Sequence, residues 1–194
     1  MLRPARFRVF LRELSALVER EADEYVLLSQ ARSVVTELVA HDDWLPPDYQ
    51  QPDPNRYQQY LLYCDPQERF SVVSFVWGPG QSTPVHNHET WGVIGILSGA
   101  EISQRFRLSE GALTADGPPV ILHAGDVETL SPTTGDIHQV RNGLETEPSV
   151  TIHVYGADIG SVCRSIFATD GTRRPFISRY AYCPLPNFWL ADEN

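Results

Sequence analysis

The chain has 194 residues, 42% of them apolar and 21% charged, with a net charge of −10 and a pI near 4.9. That length suffices for one domain with a sizeable core, and the composition is that of an ordinary globular protein. The acidic balance argues against a nucleic-acid partner, which would need a basic face, while leaving room for a local basic pocket around an anionic substrate.

The first forty residues read as helical. Phe7, Phe10, Leu11, Leu14, Leu17 and Val18 repeat at three- and four-residue spacing, and Leu28, Val35, Leu38 and Val39 do so within Leu27–Val39. Asp43-Asp-Trp-Leu-Pro-Pro then breaks the pattern. From Tyr57 onward short apolar runs alternate with Gly, Pro, Asn and Asp turns. The expected strands are Tyr57–Tyr63, Phe70–Trp77, Trp91–Leu97, Glu101–Leu108, Val120–His123, Val127–Leu130, Gln139–Arg141 and Val150–Tyr155. Regularly spaced short strands indicate a sandwich or barrel. The expectation is a single domain: a helical segment over 1–45, a β-barrel over 57–156 and an extension over 157–194. The aromatic stretch Tyr180–Trp189 either covers the barrel mouth or meets a partner, and the sequence does not choose between them.

No run of about 18 apolar residues occurs, so no membrane helix is expected. The opening MLRPARFRVF lacks the apolar stretch and cleavage site of a secretory signal, which makes a cytoplasmic location the expectation. Cys64, Cys163 and Cys183 are scattered, with no CxxC pair. That spacing suits reduced thiols and excludes a disulfide framework or a zinc ribbon.

Five of the six histidines fall in the β-rich half. His86-Asn-His88 sets two imidazoles two residues apart, and residues so spaced on a strand share a face, so both rings can reach one point inside a barrel. Alone this pattern also fits a polar strand edge. Its surroundings sharpen it. Gly80-Gln-Ser-Thr-Pro-Val-His86-Asn-His88, with Gly99 beyond, resembles the first cupin motif. Gly125-Asp-Val-Glu-Thr-Leu-Ser-Pro132-Thr-Thr-Gly135-Asp-Ile-His138-Gln-Val-Arg-Asn142 resembles the second, its spacing off by one residue on each side of the proline. The resemblance implies a mainly β fold, the cupin double-stranded β-helix or jelly roll, with His86, His88 and His138 as metal ligands.

Most metal-binding cupins carry a glutamate a few residues after the histidine pair; here Gly92 stands in that place. Glu89, directly after His88, is expected on the opposite strand face, toward solvent. The implied site is three neutral imidazoles with no carboxylate, leaving a divalent metal with about three open positions. Imidazoles accept Fe, Zn, Cu or Ni, so ligand type alone does not select the metal.

Three histidines without the glutamate resemble the cysteine dioxygenase family of thiol dioxygenases, which implies one Fe(2+) per chain. Phe70–Gly80 looks like the strand leading into that family's histidine pair. Thr151-Ile-His153-Val-Tyr155 resembles its Ser-x-His-x-Tyr relay, with Thr for Ser, and period-two spacing puts the three side chains on one face. The cysteine that cross-links to the tyrosine in eukaryotic members is absent near Gly92, which implies that Tyr155 stays an unmodified phenol. Where those members carry a substrate-gripping arginine, Tyr57-Gln58-Gln59-Tyr60 places Gln59. That is the pattern of the bacterial Gln-type branch, similar to 3-mercaptopropionate dioxygenases, in which an arginine after the relay faces the carboxylate. Arg164 is the candidate.

The implied activity is oxidation of a small carboxylate-bearing thiol by O2 to the sulfinate. The favoured substrate is 3-mercaptopropionate, with L-cysteine and mercaptosuccinate as alternatives. A cupin isomerase or quercetinase-like enzyme would leave the Thr151–His153–Tyr155 row unexplained. A non-catalytic binding cupin would not need a complete metal triad, and a structural zinc site would be closed by a fourth ligand. The sequence does not give the oligomeric state.

Overall fold

The computed structural model describes residues 4–109 and 111–181. Residues 182–194, and with them Cys183 and most of the aromatic stretch that ends at Trp189, lie outside the described residues. Two helices come first, α1 (Pro4–Arg20) and α2 (Glu24–Val39), as the three- and four-residue spacing predicts. Asp23 caps α2, its carboxylate accepting from the Val26 N–H at 3.1 Å and satisfying one of the free donors at the helix start. No helix among the described residues is long and apolar enough to cross a membrane.

The remaining regular structure, apart from a short 3-10 turn at Pro47–Tyr49, is antiparallel β. The strands are β1 (Gln58–Cys64), β2 (Ser71–Trp77), β3 (Val85–His86), β4 (Gly92–Ser98), β5 (Ala100–Ser109), β6 (Ala112–Ala115), β7 (Val120–His123), β8 (Val127–Leu130), β9 (His138–Asn142), β10 (Ser149–Tyr155), β11 (Arg164–Phe167) and β12 (Arg173–Phe176). One sheet runs β1-β2-β10-β4-β8, and the other runs β12-β11-β3-β9-β5-β6 with β7 also paired to β5. The two sheets form a double-stranded β-helix, the mainly β fold expected from the sequence.

Every residue of β2 and of β10 is buried, because both faces of their sheet are covered. Val72, Val76, Val150, Ile152 and Val154 turn outward and join Phe10, Leu14, Leu17, Val35 and Leu38 of the helices in one apolar cluster. The alternate positions, Val73, Phe75, Trp77 and Tyr155, pack in the barrel interior. At the centre of the helix–sheet contact is Gly95 of β4. A Cβ there would lie 2.7 Å from Val35 Cγ1 and 2.8 Å from Val39 Cγ1, so α2 rests on bare strand backbone.

Four strands depart from the sequence expectation. β3 is two residues long and follows Pro84, too short to leave a periodic signal. β6 reads Ala-Leu-Thr-Ala and stands mostly exposed, without apolar alternation. β11 and β12, rich in Arg, form a hairpin past residue 156 and extend the second sheet through pairing of Ile166 with His86 and Phe167 with Val85. The barrel sheet therefore does not stop at residue 156. The segment after it folds back: the Tyr180 hydroxyl donates to Asp158 and accepts from the Gly160 N–H, and the Ala181 N–H donates to the Gln59 carbonyl at 2.8 Å.

Candidate metal centre and its cavity

His86 ends β3 and pairs directly with His138, the first residue of β9. Their rings lie 4.9 Å apart centre to centre, and His88 is 4.8 Å from each. Candidate ligand atoms of the three all lie within 4.8 Å of one another, and all three residues are buried. Among the described residues no carboxylate joins this group.

The expected reason for the convergence needs correction at His88. That residue lies beyond the end of β3, so strand pleat does not aim its ring. Asp136, in the loop before β9, does so instead. Its Oδ2 accepts the backbone N–H groups of His88 at 2.9 Å and Glu89 at 3.0 Å, and its carbonyl accepts from His88 Nδ1 at 3.1 Å. The Nε2 of His88 is then left buried with no partner. In the same way His86 Nδ1 is held by the Pro84 carbonyl at 3.0 Å, which leaves its Nε2 for the centre. Glu89 is likewise not on a strand: its backbone is left-handed, with φ 58°, and its carboxylate accepts from Asn87 Nδ2 at 2.6 Å.

Burial is the main cause that lowers all three histidine pKa values, His86 to about 4, with the neighbouring imidazoles adding to it at His88 and His138. Neutral rings with free lone pairs are what a divalent transition metal requires. The orphaned Nε2 of His88 and the all-imidazole donor set fit such an ion, and the donor set is compatible with iron without singling it out.

The Thr151–His153–Tyr155 row is one hydrogen-bonded chain. Thr151 Oγ1 and His153 Nε2 are 2.8 Å apart, as are His153 Nδ1 and the Tyr155 hydroxyl. The Trp77 indole N–H donates to Thr151 Oγ1 at 3.0 Å, a contact from β2 that sequence spacing does not reveal. Phe75 stacks on the His153 ring at 4.1 Å and holds its plane. Tyr155 in turn stacks on His88, with 5.3 Å between centroids and 18° between planes. Burial pushes the Tyr155 phenol pKa up, partly countered by Arg164, so the hydroxyl keeps its proton.

Gly92 pairs with Tyr155 across β4 and β10. A Cβ at Gly92 would come within 3.0 Å of Leu130 Cδ1 and 3.2 Å of Tyr155 Cδ1. The place of the usual cupin glutamate is thus filled by neighbours.

A cavity beside the histidines is lined by Gln59, Tyr57, Phe75, Thr83, His86, Tyr155, Arg164, Phe176 and Ser178. It brings Gln59 of β1, Arg164 of β11 and Tyr155 of β10 to one space. Arg164 is 5% exposed. Its guanidinium lies 4.6 Å over the Phe176 ring and donates to Ser178 Oγ at 2.6 Å and the Ile159 carbonyl at 3.3 Å, while Nε has no partner. Sequence reasoning missed Phe176 and Ser178 in this lining, because β12 and the turn after it carry no signal of their own.

Fold and site together define a double-stranded β-helix barrel with a candidate three-histidine metal centre in its interior. No family model matches the chain. Among solved structures it is similar to an uncharacterised conserved protein with a double-stranded β-helix domain from Klebsiella pneumoniae, 21% identical over 57% of this chain and 85% of that one, TM-score 0.42. A cupin-like protein from Thermotoga maritima is 18% identical over 58% of this chain and 77% of its own, TM-score 0.44. A Cupin 2 conserved barrel domain protein from Salinispora arenicola is 26% identical over 59% and 86%, TM-score 0.41. Likenesses this distant carry no chemistry.

Proposed function

We propose that the protein is a non-haem Fe(II) thiol dioxygenase that converts a small carboxylate-bearing thiol, 3-mercaptopropionate foremost, and O2 to the sulfinate. The observation that carries this reading is the meeting, around one small cavity, of a three-imidazole cluster without a carboxylate, a phenol ending a hydrogen-bonded row, and a buried guanidinium. His86, His88 and His138 would hold the ion as neutral ligands. Ferrous iron bound there supplies the redox chemistry that joins both atoms of O2 to sulfur. Arg164 faces the substrate carboxylate, and the buried setting strengthens that charge-assisted contact. Gln59 adds a neutral amide, and Tyr155 presents its hydroxyl to the sulfur end. Phe75, Phe176 and the ring of Tyr57 form the apolar part of the lining and narrow the access of bulk water.

The test is metal analysis of anaerobically purified protein, then O2 uptake with 3-mercaptopropionate, L-cysteine, mercaptosuccinate and cysteamine. Iron in about one equivalent per chain and preference for 3-mercaptopropionate are the expected results. Arg164→Ala should raise KM for 3-mercaptopropionate roughly ten- to hundred-fold, the worth of one charge-assisted bond, and barely change it for cysteamine, which has no carboxylate. Preference for L-cysteine with a harmless Arg164→Ala would move the reading to cysteine oxidation; no O2 uptake with any thiol would refute it.

A further inference from the structure

The β11–β12 hairpin sets Arg164 opposite Phe176, so the two side chains share the face that looks into the cavity. β3 flanks β11 on its other side, with His86 opposite Ile166, two residues along the same face from Arg164. Phe176 therefore stands beside both ends of the cavity. Its ring centre is 4.6 Å from the Arg164 guanidinium carbon and 6.3 Å from the His86 ring, the two ring planes meeting at 81°. A thiol whose sulfur sits at the histidines and whose carboxylate sits at Arg164 must run its connecting carbons past this ring.

The rest of the lining has nothing to balance a positive charge on those carbons. Among the described lining residues there is one guanidinium, Arg164, and no carboxylate. Ser178 Oγ already takes an Arg164 N–H at 2.6 Å, and Thr83 Oγ1 is tied to the Val140 backbone at 3.1 and 3.4 Å. Gln59 and Tyr57 come from β1 and the residue before it, at an edge of the other sheet, and both are neutral. A phenyl face can attract a cation, but one face of Phe176 already carries the guanidinium, and a second cation there meets like charge.

We propose that Phe176 is the specificity-determining residue that selects thiol carboxylates lacking an α-ammonium group over amino-acid thiols. This rests on the thiol dioxygenase reading and names the substrate class of that site. With its carboxylate paired to Arg164, L-cysteine leaves its ammonium against an apolar ring, beside a like charge and without an anion. A charge removed from water in that way is strongly disfavoured. 3-Mercaptopropionate carries only hydrogens at the same carbon, and these suit the ring. Arg164 does not depend on the ring for its place, since its hydrogen bonds to Ser178 Oγ and the Ile159 carbonyl hold it. Exchanging Phe176 thus alters the wall and leaves the grip on the carboxylate.

The test compares kcat/KM for L-cysteine and 3-mercaptopropionate on iron-loaded wild type, Phe176→Leu and Phe176→Asn. Loss of the ring beneath Arg164 acts on both carboxylates alike, so the ratio between the two substrates is the readout. Leu stays apolar and should keep the wild-type ratio within a few-fold. Asn brings an amide oxygen and room for water to the same place. It should shift the ratio toward L-cysteine roughly ten- to hundred-fold, the worth of satisfying one buried charged group. A second measurement needs no variant and serves if Phe176→Asn folds poorly. 3-Mercapto-2-methylpropionate sets a methyl group where cysteine has its ammonium, and wild type should oxidise it at a rate closer to that of 3-mercaptopropionate than to that of L-cysteine. Refusal of the methyl analogue as strong as that of L-cysteine would overturn the role of Phe176, as would Leu and Asn moving the ratio equally or not at all. Oxidation of 3-mercaptopropionate would still stand in each of those cases. A wild type that oxidises no thiol would end both.

Discussion

His88 is aimed by a single carboxylate, since Asp136 takes two successive backbone N–H groups and the ring nitrogen is held by its carbonyl. Removing a residue that orients a metal ligand commonly costs 10- to 100-fold in affinity. Asp136→Ala should therefore weaken metal retention by roughly that factor against a competing chelator, while the barrel still folds; unchanged retention would mean that the loop needs no such tie. At this scale His86, His88 and His138 were legible from motif spacing, as was the Thr151–His153–Tyr155 row. The causes were less so. Asp136 stands within the second motif, yet nothing local says that it reaches residues 48 positions away.

α2 lies against β4 with no side chain between them at Gly95. Adding bulk there forces the helix off the sheet or distorts Val35 and Val39, both buried. Overpacking of this kind typically costs about 1–3 kcal/mol. Gly95→Val should lower the urea midpoint by a corresponding amount and leave metal binding intact, because the histidines sit on the barrel's other side from the helices. Loss of metal binding without loss of stability would contradict that separation. Both helices were legible because each carries a three- and four-residue period. β2 and β10 read as strands even though they are buried throughout, since their runs are short and bounded by turns. β11 escaped notice because its pairing partner, β3, is only two residues long and lies some eighty positions earlier in the chain.

For the molecule as a whole, three histidines that resist protonation make stability depend on pH in one direction. Their pKa values are lowered on folding, while in the unfolded chain they stand near 6.5. Below about pH 6.5 the unfolded state binds protons that the folded state refuses, so the stability present above that pH drains away as pH falls. The loss from His86 continues until its folded value of about 4. One ring over that window is worth roughly 3 kcal/mol, an order-of-magnitude figure. Chelator-treated protein unfolded in urea between about pH 7.5 and 4.5 should show stability falling with a slope of at least one proton, about 1.4 kcal/mol per pH unit. A flat profile would show that the rings are open to water. Loaded protein should hold its stability to lower pH, since a bound ion competes with protons for the same lone pairs.

The close approach of Gly92 to Tyr155 and Leu130 links two traits that look separate. The Tyr155 ring that a Cβ at position 92 would approach lies flat on His88. The bare backbone at position 92 and the placement of the phenol are thus coupled through one tight contact. Any side chain added at position 92 would press first on Leu130 and then on the Tyr155 ring, whose hydroxyl ends the hydrogen-bonded row, so bulk there is felt along that row.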